Sequence, residues 1–240
     1  MVEKIWYLKR CDLFERLSTD RLRAIEARCS ARKVARGNPI YLPADEARGV
    51  LLLASGRVKI CSVTAEGRQA ILAFIEPGEL FGELAILDQL QRDEYAEAAE
   101  ASQIILIPAA EIQKLMAELP DVSLGVTKLF GLRRMRIERR LKYLLFRSNR
   151  ERLIHLLIEL VEQYGYLVAD GVALRIKLSH QDLANIIGST RETVTVVLGD
   201  LQAEGFLRLG RRKITLSNVS SLAKSVQVKP PRIEGVTPGA

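Results

Sequence analysis

Arginine, glutamate and threonine side chains recur at helical spacing within one short stretch of the C-terminal half of the chain. Arg191, Glu192 and Thr195 share one side of a helical wheel with Val196 and Gly199, and the opposite side is apolar. At the start of a helix, side chains of these three polar types can hydrogen-bond the base edges that the major groove of DNA presents. The pattern therefore favours recognition of double-stranded DNA over a helix that only packs in a core.

Two helix starts frame this stretch. Ser179 is followed three residues later by Asp182, and Ser189 by Glu192, a spacing at which side chains cap the free backbone N–H groups of a helix. Gly188 lies between the two starts, where a tight turn requires a glycine. The segment is predicted to be a helix-turn-helix whose second helix enters the major groove.

Further elements are expected around this motif. A helix is predicted over residues 150–164 with Asn149 as its cap, followed by a loop and then a strand over residues 172–178. Residues 206–216 have the pattern of a β-hairpin wing, and three basic residues at its turn suit contact with a phosphate backbone. From Val228 onward the composition predicts a disordered tail.

The positive charge of the chain is concentrated at its centre. Of a net charge of +7, residues 121–152 contribute 10 basic and 3 acidic groups, against 16 and 18 in residues 1–120 and 10 and 8 in residues 153–240. A charge run is commonly a solvated face, but between two domains it favours contacts to a ligand or a field that attracts DNA.

Cysteine usage and the N-terminus indicate an intracellular setting. Cys11, Cys29 and Cys61 are odd in number and lack metal-ligand spacing, which favours reduced thiols over a disulfide framework. The N-terminus is too charged for a signal peptide, and no apolar run reaches membrane-spanning length. We expect a soluble, cytoplasmic protein without a membrane partner.

The first half of the chain has the sequence pattern of a β-sheet domain. A helical pattern over residues 13–32, with Ser18 and Thr19 as possible caps, precedes short β-prone runs that alternate with glycine-containing turns. These runs are residues 50–53, 57–63, 70–75 and 104–107. Their spacing predicts a compact antiparallel barrel or double-sheet roll. The stretch PGELFGELAIL, residues 77–87, interrupts the strands. Its spacing favours a structural turn, and the alternative is a loop that ends in a short helix whose N-terminal amides bind an anion.

A long helix is expected after Pro120. From Asp121 to about Arg147 the chain has no proline, and apolar residues recur at helical spacing. These residues are Val122, Val126, Leu129, Leu132 and Met135. So much apolar surface predicts a dimer seam along this helix.

The order of these elements resembles the cyclic-AMP receptor and fumarate-nitrate regulator (CRP/FNR) superfamily of bacterial transcription regulators. The resemblance rests on PGELFGEL in the roll and GSTRETV in the helix-turn-helix, with a long helix between them. It implies an α+β fold and a homodimer on a two-fold-symmetric DNA operator, with RNA polymerase as a further partner. The implied domains are a β jelly-roll sensor (1–120), a dimerisation helix with its hinge (121–148), a winged helix-turn-helix (149–227) and a disordered tail (228–240).

The motifs and the resemblance together predict the DNA contacts. These residues are Ser179, His180, Gln181, Thr190, Arg191, Glu192, Thr193, Thr195, Val196, Arg211, Arg212 and Lys213. By resemblance, Arg191 and Glu192 match base-reading residues and Thr193 matches a phosphate contact. Val196 departs from the family, which commonly has a second arginine there. Its side chain would either touch a thymine methyl or extend the core stripe.

The sequence constrains the identity of the effector less closely than it constrains the DNA contacts. Gly82, Glu83 and Leu84 match the cyclic-nucleotide cassette of the family, and Arg92 takes the position of its phosphate-binding arginine. However, Asp93 replaces a small hydroxyl residue.

The long helix departs from the cyclic-AMP receptors as well. The two hydroxyl residues that meet adenine in those receptors are replaced by Ile137 and Glu138. The chain also resembles the nitrogen-control regulators that sense 2-oxoglutarate, whose dicarboxylate-binding positions correspond to Arg92, Arg133 and Glu138. An acidic metabolite such as 2-oxoglutarate ranks slightly ahead of a cyclic nucleotide, and an unrecognised or absent effector is an equal alternative.

No catalytic or metal-binding constellation is visible. His155 has the setting of a packed core residue, and His180 begins the first motif helix; neither has a neighbouring cysteine or acid pair in the sequence. We expect no enzymatic activity and no metal or covalent cofactor. An effector-independent regulator, or a ligand-binding module that acts on a protein partner, remains the alternative to an effector-controlled one.

Overall fold

The computed structural model describes residues 4–87, 91–211 and 213–233, and the chain divides into two compact units, residues 1–135 and 136–240. The N-terminal unit contains α1 (Lys4–Lys9), α2 (Thr19–Arg28), β1 (Ser30–Val34), β2 (Pro39–Tyr41), β3 (Gly49–Ser55), β4 (Val58–Val63), β5 (Gln69–Ile75), β6 (Leu80–Phe81), a 3₁₀ helix (Glu83–Leu87), β7 (Tyr95–Ala98), β8 (Ser102–Pro108), α3 (Ala109–Glu118) and the first part of α4 (Pro120–Phe146).

The strands form two antiparallel four-stranded sheets, in the orders β1-β8-β3-β6 and β2-β7-β4-β5. One core lies between the sheets, and a second lies between the first sheet and the helices. Strand β3 contributes Leu51 and Leu53 to the first core and Val50 and Leu52 to the second. Because both of its faces are covered, its sequence is a continuous apolar run instead of an alternating one. The predicted jelly roll is confirmed.

One local prediction in this unit needs correction, and a further helix was not predicted. The helix expected over residues 13–32 is only α2, because Ser18 caps its start and residues 30–34 pair with β8 instead. Helix α3 was not predicted. Its apolar side packs through Ile112 and Leu115 on the second core, which lies between the first sheet and the helices.

Helix α4 corrects the predicted dimer seam. The long helix itself is confirmed, but Val122 and Val126 are only 3% and 2% exposed and belong to the second core of their own unit, with Leu129 packed beside them. Leu132 and Met135 are each 58% exposed. The prediction that all five form one seam is wrong, since the helix turns its first apolar residues toward the β-roll.

The C-terminal unit contains the end of α4, α5 (Asn149–Tyr164), β9 (Gly165–Val168), β10 (Gly171–Leu174), α6 (His180–Ile187), α7 (Arg191–Ala203), β11 (Leu207–Gly210), β12 (Lys213–Leu216) and α8 (Val219–Ser225). Its sheet has the order β11-β12-β10-β9, and β11 and β12 form the predicted wing. The expected α+β class with a winged helix-turn-helix is confirmed.

Three boundaries differ from expectation in this unit. Ser148, not Asn149, caps α5, with a reciprocal hydrogen bond from its backbone N–H to Glu151. The expected loop after α5 is a strand, β9, which pairs with β10, and β10 itself ends at Leu174. Residues 228–233 of the predicted tail contain no helix or strand, and residues 234–240 lie outside the described residues.

The cysteines are free and buried. Burial raises the pKa of the Cys11 thiol to about 12 and that of Cys29 to about 11, so both remain protonated and unreactive at neutral pH. In the part of the chain that the structure describes, no helix is long and apolar enough to cross a membrane.

Candidate DNA-binding and effector sites

The first helix of the motif is set by its two ends. The Ser179 hydroxyl accepts a hydrogen bond from the backbone N–H of Asp182, whose carboxylate in turn accepts from the Ser179 backbone N–H, as the sequence predicted. Gly188 ends the helix with φ of 65°, a left-handed conformation that favours glycine. These ends fix where the chain turns into the second helix.

The second helix begins at a different cap from the one predicted. The Thr190 hydroxyl, not that of Ser189, accepts from the backbone N–H of Thr193 at 3.2 Å. The prediction of a Ser189 cap is therefore wrong by one residue. Arg191 and Glu192 consequently occupy the first turn of α7, where side chains reach outward.

Helix α7 separates its two faces clearly. Val194, Leu198 and Leu201 are buried, whereas Arg191 and Glu192 are exposed. Val196 is 62% exposed, which rules out the alternative that it extends the core stripe. The outward face of α7 thus carries charged groups and one exposed apolar side chain, that of Val196.

A hydrogen bond joins the two motif helices at this face. The Thr195 hydroxyl donates to the Arg191 carbonyl at 2.9 Å and lies 2.8 Å from Nδ1 of His180. A hydroxyl has one hydrogen, so when Thr195 donates to the Arg191 carbonyl, its oxygen accepts from Nδ1 of His180 in the tautomer that is protonated there. Both residues were predicted to contact DNA, and they are also partners of each other. Nearby, the Gln181 amide donates to Asn185 at 2.8 Å.

The wing carries exposed positive charge. Arg211 and Lys213 are exposed at the turn between β11 and β12, and Arg212 lies outside the described residues. A basic, exposed hairpin tip can bind phosphate oxygens without reading sequence.

Arg152, at the start of α5, was not singled out by the sequence. Its guanidinium donates to the carbonyls of Leu144 at 2.8 Å and Arg147 at 2.9 Å, at the end of α4, and to that of Ile187 at 3.4 Å, at the end of α6. Helix C-termini leave such carbonyls without partners. One side chain therefore ties the end of α4 to the helix-turn-helix. His155, expected to pack, is buried and stacks on Tyr143 beside it.

Arg152→Ala is expected to lower the free energy of unfolding by about 2 kcal/mol, because hydrogen bonds from a charged donor contribute roughly 1.5–3 kcal/mol. Urea unfolding of the full chain measures this. Arg150→Ala is the matched control, since its ion pair with Glu204 is solvent-exposed and should contribute less than about 1 kcal/mol. Equal losses in the two variants would mean that Arg152 does not hold the helix ends.

The sensor candidates meet at the loop after β6. Gly82 has φ of 66°, and a Cβ there would lie 2.5 Å from Nη1 of Arg92, so the position requires glycine. Arg92 is 8% exposed and donates to the Gly82 carbonyl at 2.7 Å and to that of Gly49. It also lies over the ring of Tyr41, 4.8 Å from its centroid. Burial lowers the pKa of Arg92, so an arriving anion would stabilise its charge.

A second arginine reaches the same loop from α4. Arg133 forms an ion pair with Glu83, which is 6% exposed, and donates to the Leu80 carbonyl. A buried carboxylate needs such a partner, because an unpaired buried charge is strongly destabilising. The structure thus brings Gly82, Glu83, Arg92 and Arg133 to one place.

Three predicted effector-binding residues remain: Leu84, Asp93 and Glu138. Leu84 is half-buried on the 3₁₀ helix, and Asp93 is exposed. Glu138 is exposed and belongs to the C-terminal unit. Five residues along a helix correspond to a rotation of about 140°, so Glu138 does not project from α4 in the direction of Arg133. Tyr41 and Gly49, which contact Arg92, carried no sequence signal, because these contacts join distant parts of the chain.

Comparison with known proteins gives matches over both units. The sequence matches the cyclic nucleotide-binding domain over residues 31–118 and the Crp-like helix-turn-helix domain over residues 151–225. The global nitrogen regulator of Synechococcus elongatus is 31% identical over 191 residues, covering 79% of this chain and 86% of that protein. The cyclic AMP receptor protein of Thermus thermophilus is 30% identical over 203 residues, covering 85% and 91%.

A solved structure, FixK2 from Bradyrhizobium japonicum, has the same fold, with a TM-score of 0.73 at 22% identity over 86% of this chain and 99% of that one. The two relatives bear names that refer to different signals, at nearly equal identity, so they do not discriminate between effectors. This chain itself combines a roll that matches the cyclic nucleotide-binding domain with a helix-turn-helix whose second helix has an outward polar face. On this evidence the chain belongs to the CRP/FNR family of DNA-binding transcription regulators.

Proposed function

We propose that the protein is a homodimeric, sequence-specific regulator whose DNA binding is controlled by a small anionic effector at the Gly82 loop. The observation that carries this proposal is the ion pair between Glu83 on the loop and Arg133 on α4. Because α4 continues into the C-terminal unit, a ligand that competes for Arg133 acts on the helix that leads to the DNA-binding domain.

The dimer would present two recognition helices to a two-fold-symmetric operator with half-sites about one helical turn apart. By family resemblance, RNA polymerase is a further partner of the bound dimer. In this proposal the protein acts in the cytoplasm, holds no metal or covalent cofactor and catalyses no reaction.

The dimer is proposed to form along α4. Eight large apolar side chains of this helix are exposed in the single chain: Leu124, Leu132, Met135, Ile137, Leu141, Leu144, Leu145 and Phe146. Exposed apolar surface on this scale is typical of an interface, and a second copy of a long helix is its natural partner.

For the effector we propose an acidic metabolite such as 2-oxoglutarate. The planar guanidinium groups of Arg92 and Arg133 suit bidentate recognition of carboxylates. A cyclic nucleotide is less well supported, because Ile137 and Glu138 stand where the resemblance expects hydroxyl residues that meet adenine.

One observation favours the alternative of an effector-independent regulator. Within the chain, Arg133 pairs with Glu83, and Arg92 donates to two backbone carbonyls. A loop whose charges are compensated internally could hold α4 in its DNA-binding arrangement by itself.

Ligand binding by the wild type and by Glu83→Gln, measured by calorimetry, distinguishes an effector-controlled regulator from an effector-independent one. The wild type is expected to bind 2-oxoglutarate, and the variant to bind it about tenfold more tightly, or about 1.4 kcal/mol, because Arg133 no longer pairs with a competing carboxylate. Cyclic AMP and cyclic GMP serve as the other ligands.

Glu97→Gln is the matched control, since Glu97 pairs with Lys59 on the β-roll, and its binding should equal that of the wild type. If Glu83→Gln instead abolishes binding of a cyclic nucleotide, Glu83 accepts from the ribose and the acidic-metabolite proposal is wrong. Wild-type DNA binding with no response to any of the three ligands would support the effector-independent alternative.

A further inference from the structure

The packing of the chain does not account for the residue types at two exposed positions on the outward face of α7, Val196 and Gly199. Val196 is 62% exposed, which places an apolar side chain in solvent at the edge of the polar face. Gly199, three residues on, is exposed, and a Cβ built there meets no atom of residues 4–87, 91–211 or 213–233 within 4 Å. Residues three apart are neighbours on a helix surface, so these two form one apolar strip.

No residue that the structure describes requires a glycine at position 199. Glycine weakens a helix interior more than any residue except proline, and here neither a turn nor a close neighbour compensates for it. An unneeded glycine on an exposed face is useful where another molecule's surface comes close to the backbone. The strip lies on the face of α7 that carries Arg191 and Glu192, so DNA is the molecule that would approach it.

The chemistry of the strip selects one feature of the major groove. Val196 and Gly199 offer no side-chain hydrogen-bond donor or acceptor, and the nearby Thr195 hydroxyl already donates within the protein. Thymine is the base that presents an apolar group there, its C5-methyl. We propose that Val196, with Gly199 beside it, reads the C5-methyl of one thymine in each operator half-site. The inference rests on the proposed sequence-specific binding and names what this part of the site recognises.

The helix geometry also places that thymine. Val196 lies five residues after Arg191, which is about 7.5 Å along the helix axis. Residue 196 is also rotated by about 140° from residue 191 about the axis of α7, so we expect the thymine at a different base pair from the one that Arg191 contacts.

Thymine-to-deoxyuridine substitution tests the proposal, because deoxyuridine lacks only the methyl group. Operators are first selected from a random DNA pool with the full-length protein, and each thymine is then replaced singly while the dissociation constant is measured by fluorescence anisotropy at fixed salt. For the wild type, one position per half-site should weaken binding about five- to tenfold. Val196→Ala should bind the thymine operator about as weakly and lose nothing further on deoxyuridine at that position.

Gly199→Ala gives an independent readout. It should raise the melting temperature, because alanine is the better helix former, and still weaken DNA binding, because its methyl blocks the approach. Arg191→Ala should retain the deoxyuridine effect, which shows that the methyl is read by a different residue.

The results that would contradict the methyl-reading inference differ from those that would contradict the proposed function. Equal wild-type affinity for thymine and deoxyuridine at every position, or an undiminished deoxyuridine effect in Val196→Ala, overturns the methyl-reading inference while sequence-specific binding stands. Failure of the random pool to yield any enriched sequence overturns the proposed function itself.

Discussion

Leu132→Glu is expected to convert the proposed dimer into monomers. Leu132 lies on the exposed side of α4, so a second copy of the helix would bury the new carboxylate without a partner. Breaking the charge balance of a buried site costs about 3–5 kcal/mol, and each dimer would contain two such sites. The dimer dissociation constant should therefore rise at least about a hundredfold. Sedimentation velocity over a range of protein concentrations measures the change.

Two variants make this result specific. Leu129→Glu introduces the same charge three residues earlier, but Leu129 packs against the core of its own unit, so this variant should lower the melting temperature. Leu72→Glu, at an exposed apolar position on β5, should leave both the melting temperature and the dimer unchanged. A Leu132→Glu protein that sediments like the wild type would place the interface elsewhere.

Arg191→Ala is expected to weaken binding to the selected operator by about 1–3 kcal/mol, because a guanidinium can donate two hydrogen bonds to O6 and N7 of guanine. The exposed position of Arg191 in the first turn of α7 makes such a contact accessible. Preference for guanine should be lost at one base pair per half-site, and selection from a random pool by the variant measures this directly.

Lys213→Ala is the control for that experiment. Lys213 is exposed at the tip of the wing, so its loss should weaken all sequences alike and reduce the salt dependence of binding. The base-reading role of α7 is wrong if the wild type and Arg191→Ala select identical sequences.

The sequence by itself determined the helix-turn-helix and the order of elements. Ser179, Asp182 and Gly188 lie within one local segment, and their capping and turn geometry depends on neighbours a few residues away. The same is true of the uninterrupted long helix after Pro120. Where competing local signals were adjacent, as with Ser189 and Thr190, the sequence missed the cap by one residue.

Only the tertiary structure decided which surface covers each helical face. Helical periodicity groups Val122 and Val126 with Leu132 as apolar residues of one helix, but only packing against the β-roll separates the buried from the exposed. Likewise, the pairing of Glu83 with Arg133 and the ties from Arg152 to the ends of two helices join residues that are distant in the chain. Such contacts leave no local pattern, since they depend on how completed elements pack.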